Sequence, residues 1–134
     1  MNNQTTQIKN VYKDFDLSFN RHPLTNDVAM KIDDRAIEQS LKSLIATNFY
    51  ERAFNPKIGS NIRKMLFEPA DPITMADLRS GIRAIIDNYE PRVDVINIII
   101  KDNPDRNEYN ISIVYTYANA SSPVTLKVTL ERLR

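Results

Sequence analysis

Residues 109–117 read Tyr-Asn-Ile-Ser-Ile-Val-Tyr-Thr-Tyr, with a large apolar or aromatic side chain at every odd-numbered position. This two-residue period is typical of a β-strand with one buried face. A similar alternation, Val-Thr-Leu-Lys-Val-Thr-Leu, occupies residues 124–130, and a run rich in β-branched side chains occupies residues 95–100. Turn-forming residues separate the runs at 103–107 and 120–123. The chain from residue 93 onward therefore predicts three consecutive antiparallel strands, a meander.

Before residue 93 the apolar residues recur with a helical period. The first predicted helix runs from about Asp34 to Thr47, and its apolar stripe is Ile37, Leu41, Leu44 and Ile45. A loop follows in which Gly59 can adopt a positive φ. The second predicted helix is short and is capped by Ser60 or Asn61. The third is capped by Thr74, with Asp77 three residues later completing a capping box.

These elements predict an α+β fold in which three helices pack on one side of a mainly antiparallel C-terminal β-meander. The predicted domain covers residues 32–134. Residues 1–31 are predicted to be an extended N-terminal arm or a short strand, since Phe15, Leu17 and Phe19 alternate there with polar residues. The strand and the arm both fit this pattern.

The charge and composition exclude several classes of function. The 18 basic and 17 acidic residues give a formal net charge of +1, so no global field attracts nucleic acid or an anionic membrane. The absence of cysteine and the single histidine, His22, predict no metal site, and two isolated glycines cannot form a phosphate-binding loop. We therefore expect no cofactor and no small-molecule substrate. The polar N-terminus predicts no secretory signal, and hence synthesis in a cytoplasm.

Paired carboxylates are the one catalytic arrangement that the sequence offers. The acidic residues near the ends of the second and third predicted helices are Glu68, Asp71, Asp77 and Glu90. Two such groups would suit a glycosidase that cleaves peptidoglycan. The absence of tryptophan leaves little to stack against a sugar. A non-enzymatic protein is therefore the main prediction, with a lysozyme-like glycosidase as the alternative.

The segment Tyr89-Glu90-Pro91-Arg92 lies at the predicted junction between the third helix and the first strand of the meander. Pro91 ends the helix because a helix rarely continues into a proline. Glu90 opposes the helix dipole at that end unless a cation compensates. Arg92 can supply this cation within the domain, or both charges can face a partner. The sequence leaves these two interpretations open.

This segment resembles the Glu-Pro-Arg motif of the baseplate wedge, or sheath-initiator, family of contractile phage tails, which also occurs in type VI secretion baseplates. The resemblance extends from Arg35 to the C-terminus. It includes Ile37-Glu38-Gln39-Ser40-Leu41, the loop from Phe54-Asn55-Pro56 to Gly59-Ser60, and Met65-Leu66-Phe67-Glu68. The first thirty or so residues carry less of the likeness.

The resemblance implies a structural protein of the virion tail that binds the core bundle of the wedge and offers the first sheath ring a sheath-like domain. The implied partners are other wedge subunits and the tail sheath protein, with the tail tube as a further candidate. A phage and a phage-derived machine are equally compatible with it.

A sheet edge can recruit a strand through main-chain hydrogen bonds. The predicted partner-binding residues are Glu90, Pro91, Arg92, Val124, Thr125, Leu126, Lys127, Val128, Thr129 and Leu130. Arg132 and Arg134 are expected to discourage indiscriminate pairing at this edge.

Overall fold

The computed structural model describes residues 12–118 and 120–132, and their fold is the predicted α+β class. The elements in chain order are β1 (Lys13–Phe15), β2 (Met30–Ile32), α1 (Asp34–Ala46), α2 (Ile62–Met65), α3 (Pro72–Tyr89), β3 (Val93–Asn103), β4 (Glu108–Tyr117) and β5 (Val124–Glu131). The chain divides into two compact units between Ile37 and Glu38. None of the helices in the described ranges has the length and hydrophobicity of a membrane span.

The C-terminal sheet has the strand order β3-β4-β5, and both pairings are antiparallel. This confirms the predicted meander. The odd-numbered side chains of β4 are all buried, while the even-numbered ones are only half-buried. Burying a large apolar side chain stabilises a fold by about 1.5–3 kcal/mol, so the strand is held in this register by its alternation. The helix α3 packs against β3.

A β-bulge interrupts β3 between Val95 and Asn97, where the pairing with β4 shifts by one residue. The extra residue is Ile96, which is exposed. Beyond the bulge, Ile98 and Ile100 return to the buried face. The bulge therefore allows both halves of a strand with irregular apolar spacing to present side chains to the core.

The N-terminus of α3 differs from the sequence prediction, which made Thr74 the cap. The cap is Asp71, whose Oδ1 accepts a hydrogen bond from the Thr74 amide at 2.6 Å. Pro72 occupies the first turn, where its missing N–H costs nothing. Thr74 is itself inside the helix and buried, so it cannot form the predicted capping box with Asp77. The helix ends at Tyr89, two residues before Pro91, as predicted.

Gly59 is required for a close approach of two chain segments and not for a positive φ, which neither glycine adopts. A Cβ on Gly59 would lie 2.5 Å from the backbone carbon of Asn48 and from the backbone nitrogen of Phe49. This approach allows Asn48 and Ser60 to form a parallel bridge. The loop between α1 and α2 is therefore closed at its base. Asn61 is the N-cap residue of α2, but its side chain makes no capping hydrogen bond.

In the N-terminal unit, β1 and β2 form a two-stranded antiparallel sheet. The predicted strand through Phe15, Leu17 and Phe19 is wrong in length and in face, because all three side chains are exposed and the chain turns after Phe15. Asp16 is the buried residue, and its carboxylate accepts a hydrogen bond from the Ser18 amide at 2.9 Å. Such local bonding by aspartate favours a turn over a continuing strand.

Candidate functional site

The corner between α3 and β3 is built around the carboxylate of Glu90. Arg92 Nε donates to Glu90 Oε1 at 2.6 Å, and an Arg92 terminal nitrogen donates to Oε2 at 2.8 Å. The Ser40 hydroxyl, on α1, also donates to Oε2. Only 3% of the Glu90 side chain is exposed, against 24% of the Arg92 side chain. The Glu-Pro-Arg motif therefore contains an internal ion pair, one of the two interpretations that the sequence left open.

The pKa of Glu90 reports the balance of forces on this carboxylate. Burial disfavours the charged form and by itself raises the pKa, but the hydrogen bonds from Arg92 and Ser40 and the charge of Arg92 outweigh it. The net pKa is lowered. Glu90 is therefore an ionised structural anchor for this corner, and Pro91 lies exposed between the two charged residues. Nothing in the local sequence identified Ser40, which is 50 residues away from Glu90.

The orientation of the β5 backbone determines which of its groups face an open edge. The pairing of β4 with β5 continues one step beyond the strands, where the Arg132 amide donates to the Asn107 carbonyl at 2.8 Å. In an antiparallel ladder, hydrogen-bonded pairs alternate with non-bonded pairs. Even-numbered residues of β5 therefore bond to β4. The N–H and C=O groups of Thr125, Lys127 and Thr129 point away from it, toward the side of β5 on which no described strand pairs.

The opposite edge of the sheet, on β3, is partly closed. The Val93 amide, which points outward, donates to the Glu90 carbonyl at 3.2 Å. The Val95 carbonyl accepts a hydrogen bond from the guanidinium of Arg83 on α3 at 3.1 Å. The bulge at Ile96 further disrupts this edge. The β5 edge has a continuous register without a bulge, so it is the better template for another strand.

Arg132 does not guard the β5 edge, contrary to the sequence prediction. Only 6% of its side chain is exposed. Its guanidinium carbon lies 5.5 Å from the centre of the Tyr109 ring, and its NH1 lies 3.8 Å from Asp102 Oδ1. The side chain therefore belongs to the core at the end of the sheet, where cation–π attraction to the ring stabilises it. Arg134, the second predicted guard, lies outside the described residues.

Asp71 and Glu90, two of the four acidic residues of the glycosidase alternative, do not form a catalytic pair with raised pKa values. Asp71 and Glu90 flank the 18 residues of α3, a separation of about 27 Å, whereas glycosidase carboxylates lie roughly 5–10 Å apart. The bond from the Thr74 amide lowers the pKa of Asp71, and that of Glu90 is lowered too. A general acid needs the opposite shift. Glu68 and Asp77 are exposed.

The described residues contain no cluster of three or more histidine or acidic side chains that could hold a metal ion. His22 instead has a local structural role. Its Nδ1 accepts hydrogen bonds from the Leu24 and Thr25 amides, each at 3.3 Å. It therefore stabilises a turn of the N-terminal unit.

Comparison with protein families identifies this architecture. Residues 32–121 match the family model described as baseplate wedge protein gp25. The chain belongs to this family. The baseplate wedge protein gp25 of Enterobacteria phage T4 is 28% identical over 118 residues, which cover 87% of this chain and 86% of that protein. This protein is thus a baseplate wedge component of a contractile tail, as the sequence resemblance implied.

Solved structures share the fold at low sequence identity. A chain in the baseplate of the anti-feeding prophage has a TM-score of 0.64 and 19% identity, with 92% of this chain and 88% of that chain covered. A chain in the postcontracted baseplate of pyocin R2 has a TM-score of 0.61 and 14% identity, with 75% and 98% covered. A candidate tail lysozyme from Geobacter sulfurreducens has a TM-score of 0.68 and 17% identity, with 73% and 89% covered. At these identities the likeness concerns the fold alone.

Proposed function

We propose that this wedge protein starts sheath polymerisation by offering the open edge of β5 to a strand of the first sheath subunit. The same protein would attach to the wedge core bundle, around the tail tube, through the corner at Glu90, Pro91 and Arg92. Both roles are non-catalytic and need no cofactor.

The observation that carries the proposal is the contrast between the two edges of the sheet. The β3 edge is bulged and partly bonded to Arg83 and Glu90. The β5 edge presents the outward main-chain groups of Thr125, Lys127 and Thr129 in a regular register. Main-chain groups of this kind supply the affinity in β-augmentation. A subunit that adds to β5 therefore extends the sheet by one strand.

The corner supports the second role because it is rigid. Two hydrogen bonds from Arg92 and one from Ser40 fix the Glu90 carboxylate. The exposed Pro91 between them has a restricted φ. A partner that binds there meets a preformed surface, and binding orders few additional groups. The partner contact would involve Pro91 and the exposed part of Arg92, with Glu90 as their support.

The proposal is tested by two substitutions at a single position of β5. Lys127→Gln removes an exposed charge but keeps the outward N–H, so we expect baseplates that carry full-length sheath. Lys127→Pro removes that N–H from an edge where proline is tolerated, so we expect a folded protein and baseplates without sheath. Electron microscopy of assembled tails and thermal unfolding of the isolated protein measure the two properties separately.

Three further proline substitutions test the alternation along β5. Thr125→Pro and Thr129→Pro should behave as Lys127→Pro does, because their amides also point outward. Val128→Pro removes an N–H that bonds to β4 and should lower the melting temperature instead. If folded Thr125→Pro and Lys127→Pro proteins both support normal sheath, the β5 edge is not the template.

A further inference from the structure

A groove of about 600 Å³ lies between the α1–α2 loop and α2, and no residue of β5 lines it. Its walls include the exposed rings of Phe49, Tyr50 and Phe67. Three cations, Lys57, Arg63 and Lys64, also line it and are exposed. These exposed aromatic rings and cations are not part of the buried core, so the stability of the sheet does not explain their arrangement.

The main chain holds this groove in shape. The base of the loop is closed by the Asn48–Ser60 bridge, which depends on Gly59. The Tyr50 amide donates to the Pro56 carbonyl at 2.9 Å. Tyr50 has a φ of 69°, a value that non-glycine residues seldom adopt. The Tyr89 hydroxyl donates to the Lys57 carbonyl at 2.8 Å and ties the loop to α3. A ligand would therefore find the groove already formed.

The lining of the groove also carries an excess of positive charge. The residues that line the groove include three basic ones and no acidic one, although the whole chain has a formal net charge of only +1. Glu51, which follows the groove residue Tyr50 but does not line the groove, accepts hydrogen bonds from the Asn48 amide at 2.9 Å and from Asn48 Nδ2 at 2.7 Å. The charge of the groove is therefore complementary to an acidic ligand.

We infer that this groove binds an acidic segment of another baseplate subunit and that the segment inserts a large apolar side chain between the aromatic rings. The rings supply apolar area, and the cations select carboxylates at the rim. A nucleic acid is disfavoured because a chain with a net charge of +1 has no wider field to hold a phosphate backbone. The inference deepens the proposed function by giving the chemistry of a second partner contact.

Binding is tested on the full chain with fluorescent synthetic peptides. The first peptide combines glutamates with phenylalanines, the second has serine for phenylalanine, and the third has lysine for glutamate. An oligothymidylate strand is the nucleic-acid probe. We expect the first peptide to bind at least about tenfold more tightly than the other three probes, and its affinity to fall as salt rises. Absence of binding, or stronger binding of the lysine peptide or the oligonucleotide, would overturn the inference.

Matched variants locate the binding. Lys64→Glu and Phe67→Ser alter the groove, whereas Arg52→Glu and Phe54→Ser make the same changes at exposed positions of the preceding loop that do not line the groove. We expect the groove variants to weaken peptide binding about tenfold or more and the control variants to leave it unchanged. Thermal unfolding verifies that all four variants are folded. Equal losses in both sets would overturn the inference.

A photo-crosslinking experiment in assembled baseplates separates this inference from the proposed function. Benzoylphenylalanine in place of Phe67 should form an adduct with an acidic, apolar-containing segment of another baseplate subunit. If the groove variants assemble normally and the crosslinker at position 67 forms no adduct while Lys127→Pro still prevents sheath growth, the groove inference fails and the sheath proposal stands. If the adduct forms and Lys127→Pro carries normal sheath, the groove inference stands and the sheath proposal fails.

Discussion

Arg92 holds Glu90 at two points, Nε to Oε1 at 2.6 Å and a terminal nitrogen to Oε2 at 2.8 Å. The carboxylate is almost fully buried, whereas the guanidinium is partly accessible. Glu90 therefore depends on Arg92, because removal of the arginine leaves the buried charge of the carboxylate with less compensation. The corner depends on the pair for its stability, and the accessible part of Arg92 remains the part that a partner can contact.

Arg92→Ala is expected to destabilise the protein by about 2–3 kcal/mol, since the buried carboxylate of Glu90 loses its charged partner. Arg92→Lys should have a smaller effect, because lysine keeps the charge but cannot make the two-point contact. Arg79→Ala, on the exposed side of α3, is the control and should change stability by less than about 0.5 kcal/mol. Chemical unfolding measures all three. A stable Arg92→Ala protein would show that the pair does not brace the corner.

The pH dependence of stability should reflect the lowered pKa of Glu90. The folded-state pKa lies below the unfolded-state value, so the ionised carboxylate contributes stability that is fully present above the unfolded pKa. This contribution is lost as the pH falls through the folded pKa, beginning below about pH 4–5. Glu90→Gln should make unfolding less dependent on pH in that acidic range. An unchanged acid profile in this variant would contradict the assignment.

The two glycines should respond to alanine in opposite ways. Gly59→Ala places a Cβ 2.5 Å from the backbone of the 48–49 segment and should cost about 2 kcal/mol or more. In Gly81→Ala, which is in the interior of α3, the new Cβ would lie 3.8 Å from Met65 Cε, an ordinary van der Waals contact. This change should stabilise the protein by about 0.5–1 kcal/mol through helix propensity. Melting temperatures that shift the same way for both variants would refute this account.

The protein is expected to show no turnover of purified peptidoglycan. The physical reason is that Asp71 caps a helix and Glu90 is held by Arg92, so neither acidic group has the raised pKa of a general acid. Release of soluble muropeptides, compared with a lysozyme standard, is the measurement. Robust activity that disappears in Glu68→Gln would favour the glycosidase alternative over a purely structural role.

Local patterns predicted the helices and strands well, and their failures have physical causes. The cap of α3 moved from Thr74 to Asp71 because Pro72 can occupy the first turn of a helix and Asp71 then reaches the Thr74 amide. The exposed Phe15 and Phe19 look like one buried strand face in the sequence. Alternation of apolar and polar residues places the apolar side chains on one face of a strand. It does not determine whether that face is buried, because burial depends on which other segments pack against it.

The sequence by itself determined the meander, the α+β class and the Glu-Pro-Arg corner, because periodicity, proline and turn chemistry act over a few residues. Only the tertiary structure decided that Arg92 pairs with Glu90 inside the corner and that Ser40 joins them. It also decided that the amides of Thr125, Lys127 and Thr129 face outward, because the direction of each backbone group follows from the register with β4. These are long-range relationships, and they depend on which segments meet in space rather than on local preference.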